Sequence, residues 1–327
     1  MKIVFLSMFD EATGNTTTAL RIQKHLEDAG HTIEQLPVDR TPLDTALSGD
    51  AAIGIHAYGS GKFLHKSTLP FIIIFGGTDL NVCVEDHHHM EVMTGAVHKA
   101  KALVAFNHDF LSRAEELWPE CAEKLHCIPQ AVQTEPSVYS LRAKLDMKKD
   151  DVLFLLPAGL RDVKDPLFLV EEVMQWHEKD PRIHLVIVGA TREAAYTEKV
   201  HQAAKQNEGI ICAGMLEQPD LFAAMWEADA VLNTSKSECS PNSILEAMQI
   251  GTPVIARDIP GNAAIVRHDD TGLLFETPNS FRTQAEAMLR NTELRDTLVR
   301  NAMRYVEAHH SLSSERKAYQ HLFSSIL

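Results

Sequence analysis

The five cysteines, Cys83, Cys121, Cys127, Cys212 and Cys239, are odd in number and include no C-x-x-C pair. This excludes a zinc ribbon and a disulfide framework and fits a reducing, cytoplasmic setting. Long apolar runs are missing too: none approaches the ~18 residues of a membrane-spanning helix. The opening run Ile3–Met8 is too short for a signal-peptide core and leads into a turn at Asp10 and Glu11, so it reads as a first strand. Basic residues are in deficit. There are 31 Lys and Arg against 45 Asp and Glu, a net charge of −14, and the deficit holds in both halves, 14 against 20 in residues 1–150 and 17 against 25 in 151–327. Neither half therefore carries the electrostatic footprint of a nucleic-acid or anionic-lipid binder. An anionic ligand has to be held by helix N-termini and individual Arg or Lys side chains, against the overall field. The strand ending at Gly189 lacks the G-x-G-x-x-G continuation that a nicotinamide cofactor needs. There is no low-complexity tract and no solenoid repeat period.

What is present is ordinary globular composition, 45% hydrophobic and 23% charged over 327 residues, a length that suits two domains. Short apolar runs alternate with helical patterns, the signature of parallel sheets with crossover helices. Strands are expected near 2–7, 32–36, 51–56, 70–75, 102–106 and 124–128, with helices between them, clearest at 16–29 before Gly30. The segment 130–150 is poor in apolar residues, contains Pro136 and ends in Lys148-Lys149-Asp150-Asp151. The boundary is placed within it, giving domains 1–140 and 141–327. A second series follows, with strands near 152–157, 183–188, 210–212, 230–233 and 253–256, and helices near 166–178, 193–206, 219–227 and 241–249. Helical stretches at 280–290 and 292–327 close the chain. Doubly wound sheets bind ligands beyond the carboxyl ends of their strands, so the cleft between two such domains is the first place to look.

The most informative segment runs from Ser237-Glu238-Cys239-Ser240-Pro241-Asn242-Ser243-Ile244-Leu245-Glu246 to Gly251-Thr252-Pro253. It reads as loop, helix, turn. Ser240 suits an N-cap and Pro241 a first helical position. The N–H groups of Asn242, Ser243 and Ile244 would then form a positive helix end suited to a diphosphate. Glu246, inside the helix, and Glu238, before it, can flank one ligand with carboxylates that accept hydroxyl hydrogen bonds. A second segment, Pro157-Ala158-Gly159-Leu160-Arg161-Asp162-Val163-Lys164-Asp165-Pro166, ends a buried strand. Asp165 is expected to cap the next helix and Pro166 to start it. Arg161 and Lys164 can then stabilise charge on a departing diphosphate in place of a divalent metal.

In the first half, Gly14-Asn15 follows the opening strand, and His56 and Asp79 follow the strands at 51–56 and 70–75. The latter two are candidates for acceptor binding or proton removal. His87-His88-His89 reads as a solvated helix start, since adjacent histidines cannot all reach one ion. Glu227-Ala228-Asp229 imitates an acidic metal motif but lies where a helix hands over to a strand. No metal site is expected.

Glu238-x7-Glu246 in this setting resembles the E-x7-E segment of retaining GT-B glycosyltransferases of the glycosyltransferase 4 family, also described as glycosyl transferases group 1. Cys239 stands where that family usually has Gly, Arg161-x2-Lys164 is shorter than its usual Arg/Lys spacing, and Gly76 opens Gly76-Gly77-Thr78-Asp79 where many members have His. Together with Gly14-Asn15 and Ile259-Pro260-Gly261-Asn262, these features look more like a branch distinct from the bacterial enzymes. The resemblance covers nearly the whole chain. It implies an α/β GT-B fold of two Rossmann-like doubly wound domains facing a central cleft, acceptor side first and nucleotide-sugar side second. It implies a UDP- or GDP-type donor, an unknown acceptor, retention of configuration and no cofactor. Arg161, Lys164, Glu238, His56 and Asp79 would be catalytic, and Gly14, Asn15, Pro241, Asn242, Ser243, Ile244 and Glu246 would bind the donor, with Glu246 on the ribose. A nucleotide-sugar-binding protein without turnover, and an epimerase or phosphorylase of the same architecture, stay open as alternatives.

Overall fold

The computed structural model of the chain describes residues 1–9 and 14–326; the turn expected at Asp10 and Glu11 lies outside them. The chain divides into two compact units, one of Met1–Ala131 with Ser311–Leu327 and one of Val132–His310.

The first unit is built from β1 (Lys2–Ser7), α1 (Gly14–Glu27), β2 (Thr32–Pro37), β3 (Ala51–Ile55), α2 (Ala57–Leu64), β4 (Phe71–Ile74), α3 (Gly77–Asn81), α4 (His87–Lys99), β5 (Ala102–Ala105), α5 (His108–Leu117) and β6 (Leu125–Cys127). Its six strands are all parallel, in the order β2-β1-β3-β4-β5-β6. Strands β3, β4 and β5 are buried along their whole length, as expected where helices cover both faces of a parallel sheet.

The second unit contains α6 (Leu141–Lys144), β7 (Val152–Pro157), α7 (Val170–Lys179), β8 (Ile183–Val188), α8 (Ala194–Gln206), β9 (Ile210–Gly214), α9 (Gln218–Glu227), β10 (Ala230–Asn233), α10 (Asn242–Ile250), β11 (Val254–Arg257), α11 (Pro260–Ala263), β12 (Leu273–Phe275), α12 (Pro278–Arg290) and α13 (Thr292–His309). Its parallel sheet has the order β12-β11-β10-β7-β8-β9. Side chains alternate across it: Leu153, Leu155 and Val186 join one core, Phe154, Leu156 and Ile187 the other. Strand β12 is absent from the sequence reading because its three residues give too short a run to stand out.

Helix α14 (Leu312–Ile326) belongs to the first unit, so neither the 140/141 boundary nor a helix unbroken over 292–327 is what the structure has. The reason is a buried carboxylate. Glu315 of α14 pairs with Arg21 Nε and His25 Nε2 of α1, each at 2.8 Å, and accepts the Ala131 amide at 3.0 Å. Tyr319, Leu322 and Phe323 of the same helix are buried. Periodicity shows that such a helix is amphipathic but not which sheet its apolar face covers. Residues after Ala131, in turn, attach to the second unit: Ser137 bonds Asp220, and Leu141 enters that unit's core.

Candidate active site

In each sheet the chain winds first to one side and then to the other, which leaves a crevice beyond the carboxyl ends of two neighbouring strands. In the second unit these are β7 and β10; in the first, β1 and β3. The residues singled out from the sequence collect at these two places.

Beyond β7, the loop carrying Arg161 and Lys164 is stitched to its neighbours by backbone bonds, Leu160 N–H to the Ala190 carbonyl and Lys236 N–H to that of Val163. Thr234 Oγ1 donates to the Lys164 carbonyl at 3.0 Å. Lys164 Nζ then lies 2.5 Å from Oε1 of Glu238, which follows β10. The same oxygen accepts from Ser235 Oγ at 2.7 Å and Asn233 Nδ2 at 3.2 Å. Burial alone would push the Glu238 carboxyl up. The Lys164 ammonium, with the Ser235 hydroxyl and the Asn233 amide, overcomes it and holds the group below its ordinary value, so it is a carboxylate at neutral pH. Arg161 is half-buried, and its guanidinium makes no ion pair among the described residues. One cation is committed to Glu238 and one is available.

Two expected details differ. Asp165 does not cap α7, which begins at Val170; it sits in the left-handed region at φ 45° after a single 3₁₀ turn. Its carboxylate instead takes Arg257 Nη1 at 3.1 Å and the Tyr196 hydroxyl at 3.2 Å, bracing the loop from β11 and α8. Helix α10 starts one residue later than expected, with Pro241 at the N-cap and extended, so Ser240 is not the cap. The Ile244 amide is donated to the Pro241 carbonyl at 3.1 Å and is lost to a ligand. The Ser243 amide has no partner among the described residues. Glu246 is buried in the second turn, with Gln218 Nε2 3.4 Å from its Oε1. Gly251 ends the helix at φ 89°, and the Thr252 hydroxyl ties the turn to the Met225 carbonyl.

Beyond β1 and β3, Asn15 Nδ2 lies 2.9 Å from His56 Nε2. His56 follows β3 with φ 70° and ψ 112°, a conformation that costs a non-glycine residue on the order of 1–3 kcal/mol. Asp79 holds it there. The Asp79 carboxylate, buried, accepts the backbone N–H groups of Ala57, Tyr58 and Gly76 at 2.8, 3.2 and 2.8 Å and lies 3.5 Å from His56 Nδ1. Burial would raise its pKa; the imidazole and those amides outweigh it and keep the pKa low. Asp79 is thus a support behind His56, and His56 is the accessible group. Gly76 has its own explanation: a Cβ there would lie 2.0 Å from the His56 ring. The sequence position that resembling proteins fill with histidine is, in space, where this imidazole already sits.

The sequence reading missed Asn233 and Ser235, which bond Glu238, and it quoted Gly261 and Asn262 only as part of the resemblance, without a role; Gly261 packs on Glu238 and Asn262 bonds Asn233. Asn233 ends a buried strand, the one signal that could have marked it. His87–His89 do open a helix, capped by Asp86, and Glu227 and Asp229 are bound by Arg142. Among the described residues, the single close set of metal-ligand atoms is His98, Glu120 and Cys121, which precede β5 and β6 and so lie at the opposite ends of the strands from these sites.

Two parallel doubly wound sheets with their polar centres at the strand ends define the GT-B architecture. Anabaena HepE in complex with UDP-glucose matches it with a TM-score of 0.81 at 18% identity over 99% of this chain and 100% of that one. Sucrose-phosphate synthase from Thermosynechococcus elongatus does so at 0.77 and 16%, over 99% of each. Residues 139–305 match glycosyl transferases group 1. "Glycosyltransferase 1 domain-containing protein 1" of Xenopus tropicalis is 39% identical over 100% of this chain and 98% of its own length. The chain belongs to the glycosyl transferases group 1 family.

Proposed function

We propose that the chain transfers a sugar from a nucleotide diphosphate sugar to an acceptor hydroxyl, without a metal and with retention of configuration. The observation that carries this reading is the pairing of Lys164 with Glu238 beside an uncommitted Arg161 at the carboxyl ends of β7 and β10. Glu238 offers an ionised carboxylate to donor-sugar hydroxyls. Arg161, the remaining N–H groups of Lys164 and the Ser243 amide stabilise the leaving diphosphate, the role a divalent cation would otherwise take. Pro241 and Asn242 border that helix end, and Glu246 accepts the ribose hydroxyls. In the first unit, His56, oriented by Asn15 and supported by Asp79, contacts substrate hydroxyls. Retention follows a same-face route: the bond from the anomeric carbon to phosphate oxygen breaks, the acceptor oxygen bonds that carbon on the same side, and its proton passes to the leaving phosphate. That route needs no protein nucleophile.

A UDP-type donor is preferred to a GDP-type one on the support of the HepE complexes with UDP and UDP-glucose. A cytoplasmic setting agrees with the odd cysteine count; no helix among the described residues is long and apolar enough to cross a membrane. The test is calorimetric titration with UDP and UDP-glucose in a chelator, followed by NMR of the product's anomeric proton. Binding that needs Mg²⁺ contradicts metal independence, an inverted product contradicts retention, and binding without turnover on any acceptor favours a nucleotide-sugar-binding protein.

A further inference from the structure

The polar chain behind Glu238 has a direction. Asn262 is fully buried, and its Nδ2 donates to the Arg257 carbonyl at 2.9 Å and to Asn233 Oδ1 at 3.2 Å. The Arg257 carbonyl only accepts, so it fixes which end of the Asn262 amide points inward. Asn233 Oδ1 also accepts the Ser235 backbone N–H at 3.0 Å. With its oxygen taken by two donors, the Asn233 amide must turn Nδ2 toward Glu238, and it does. All three donors to Glu238, from Lys164, Ser235 and Asn233, converge on Oε1. One oxygen is pinned and Oε2 is left for another partner.

Backbone packing fixes the same residue from its other side. A Cβ at Gly261 would lie 2.1 Å from the Glu238 carbonyl oxygen, so the turn at 259–262 sits directly on the Glu238 main chain. The turn therefore acts on Glu238 twice, through contact at Gly261 and through the amide relay from Asn262.

We propose that Asn262 and Asn233 are positioning residues that set the Glu238 carboxylate for the donor sugar, and that they act on the sugar half of the donor and not on its nucleotide. The inference rests on the donor-site reading above. If it holds, the relay contributes to UDP-glucose binding and not to UDP binding, because only the sugar meets Glu238. A merely structural role would weaken both ligands together.

The test is titration calorimetry with UDP and with UDP-glucose on the native protein, Asn262→Ala, Asn233→Ala, Glu238→Ala and the double variant Glu238→Ala/Asn262→Ala. Loss of one hydrogen bond of the relay corresponds to roughly a tenfold weakening. The expected result is about a tenfold loss for UDP-glucose in either Asn variant, with UDP affinity retained. In the Glu238→Ala background, Asn262→Ala should have no further effect, since a relay cannot act through an absent residue. Asn233 is nearer the carboxylate and carries the test if Asn262→Ala does not fold. Equal weakening of both ligands, no selective loss, or full additivity in the double variant overturns the proposal. Native protein that binds neither ligand overturns the donor reading and the relay with it; native protein that binds both while the variants show no selectivity overturns the relay alone.

Discussion

The two units place their polar centres at the same topological position and build them in opposite ways. In the second unit, beyond β7 and β10, the site is electrostatic: an ionised Glu238 pinned by Lys164, with Arg161 alongside, on a relaxed backbone apart from Asp165. In the first, beyond β1 and β3, the site is conformational: His56 at φ 70° is held by the buried Asp79, which engages three backbone amides. The Lys164 ammonium keeps further N–H donors beyond its bond to Glu238, so it can adjust to an anionic ligand. A strained residue locked by its neighbours cannot, so the first unit offers a fixed surface and the second an adaptable one.

The largest effect expected from breaking this contrast is at Arg161. Arg161→Ala removes a cation that makes no ion pair among the described residues, so turnover should fall on the order of 10²–10³-fold, the range for losing one preorganised charge-stabilising donor, while the melting temperature stays near native. Lys164→Ala should lower both, because it strips the Glu238 carboxylate of its counter-charge. Parallel steady-state kinetics and thermal melts separate the two. Equal stability losses in the two variants would mean that Arg161 serves the fold and not the reaction.

Glu246→Gln comes next. A charge-assisted hydrogen bond is worth ~1.5–3 kcal/mol, so nucleotide affinity should drop roughly tenfold to hundredfold. A donor without 2′- and 3′-hydroxyls should bind native protein more weakly by a similar factor and be insensitive to the substitution. If calorimetry shows the ribo- and dideoxyribonucleotides weakened alike, Glu246 only supports the helix.

How legible each centre was follows from the same difference. Arg161, Lys164, Glu238 and Glu246 lie within two short segments read as loop leading into helix, and that local pattern together with the family resemblance singled them out. The relay that fixes Glu238 joins Asn233 to Asn262 across 29 residues, a link that local spacing does not reveal. His56 and Asp79 were visible as polar residues at strand ends, but not their ranking, which depends on the positive φ and on Asp79 turning inward to α2. Gly76 read from sequence is a missing side chain. In space it is the room a ring requires.

That relation can be broken directly. Gly76→Ala puts a methyl group into the imidazole and should destabilise the protein by about 1–3 kcal/mol, the usual cost of overpacking. His56→Ala/Gly76→Ala should recover most of the loss, since the ring is gone. Thermal melts of the two variants decide it; a double variant no more stable than Gly76→Ala would show that some other neighbour excludes the side chain.

The smallest effect is in the acid limb. Glu315 lies between Arg21 and His25 of α1, with the Ala131 amide behind it and Tyr319 on its own helix. Burial raises its pKa, but the His25 hydrogen bond and the Arg21 charge more than offset this and leave it below the ordinary value. Asp79 and Glu238 are lowered in the same sense. A depressed folded-state pKa means that the unfolded chain takes up the proton first. The stabilisation is therefore complete above the ordinary carboxylate pKa, about 4, and drains away as pH falls through the lower folded value. Two of these carboxylates are in the first unit and one in the second. Glu315→Gln should lower the melting temperature at pH 7, because it leaves Arg21 and His25 without their partner, and should flatten the decline between about pH 5 and 3. Glu238→Gln should flatten it less, since Lys164 is freer than Arg21 to turn toward water. Melting curves of the three proteins across that range test the ordering; a Glu315→Gln protein with an acid limb as steep as the native one would mean that this carboxylate keeps its ordinary affinity for protons in the fold.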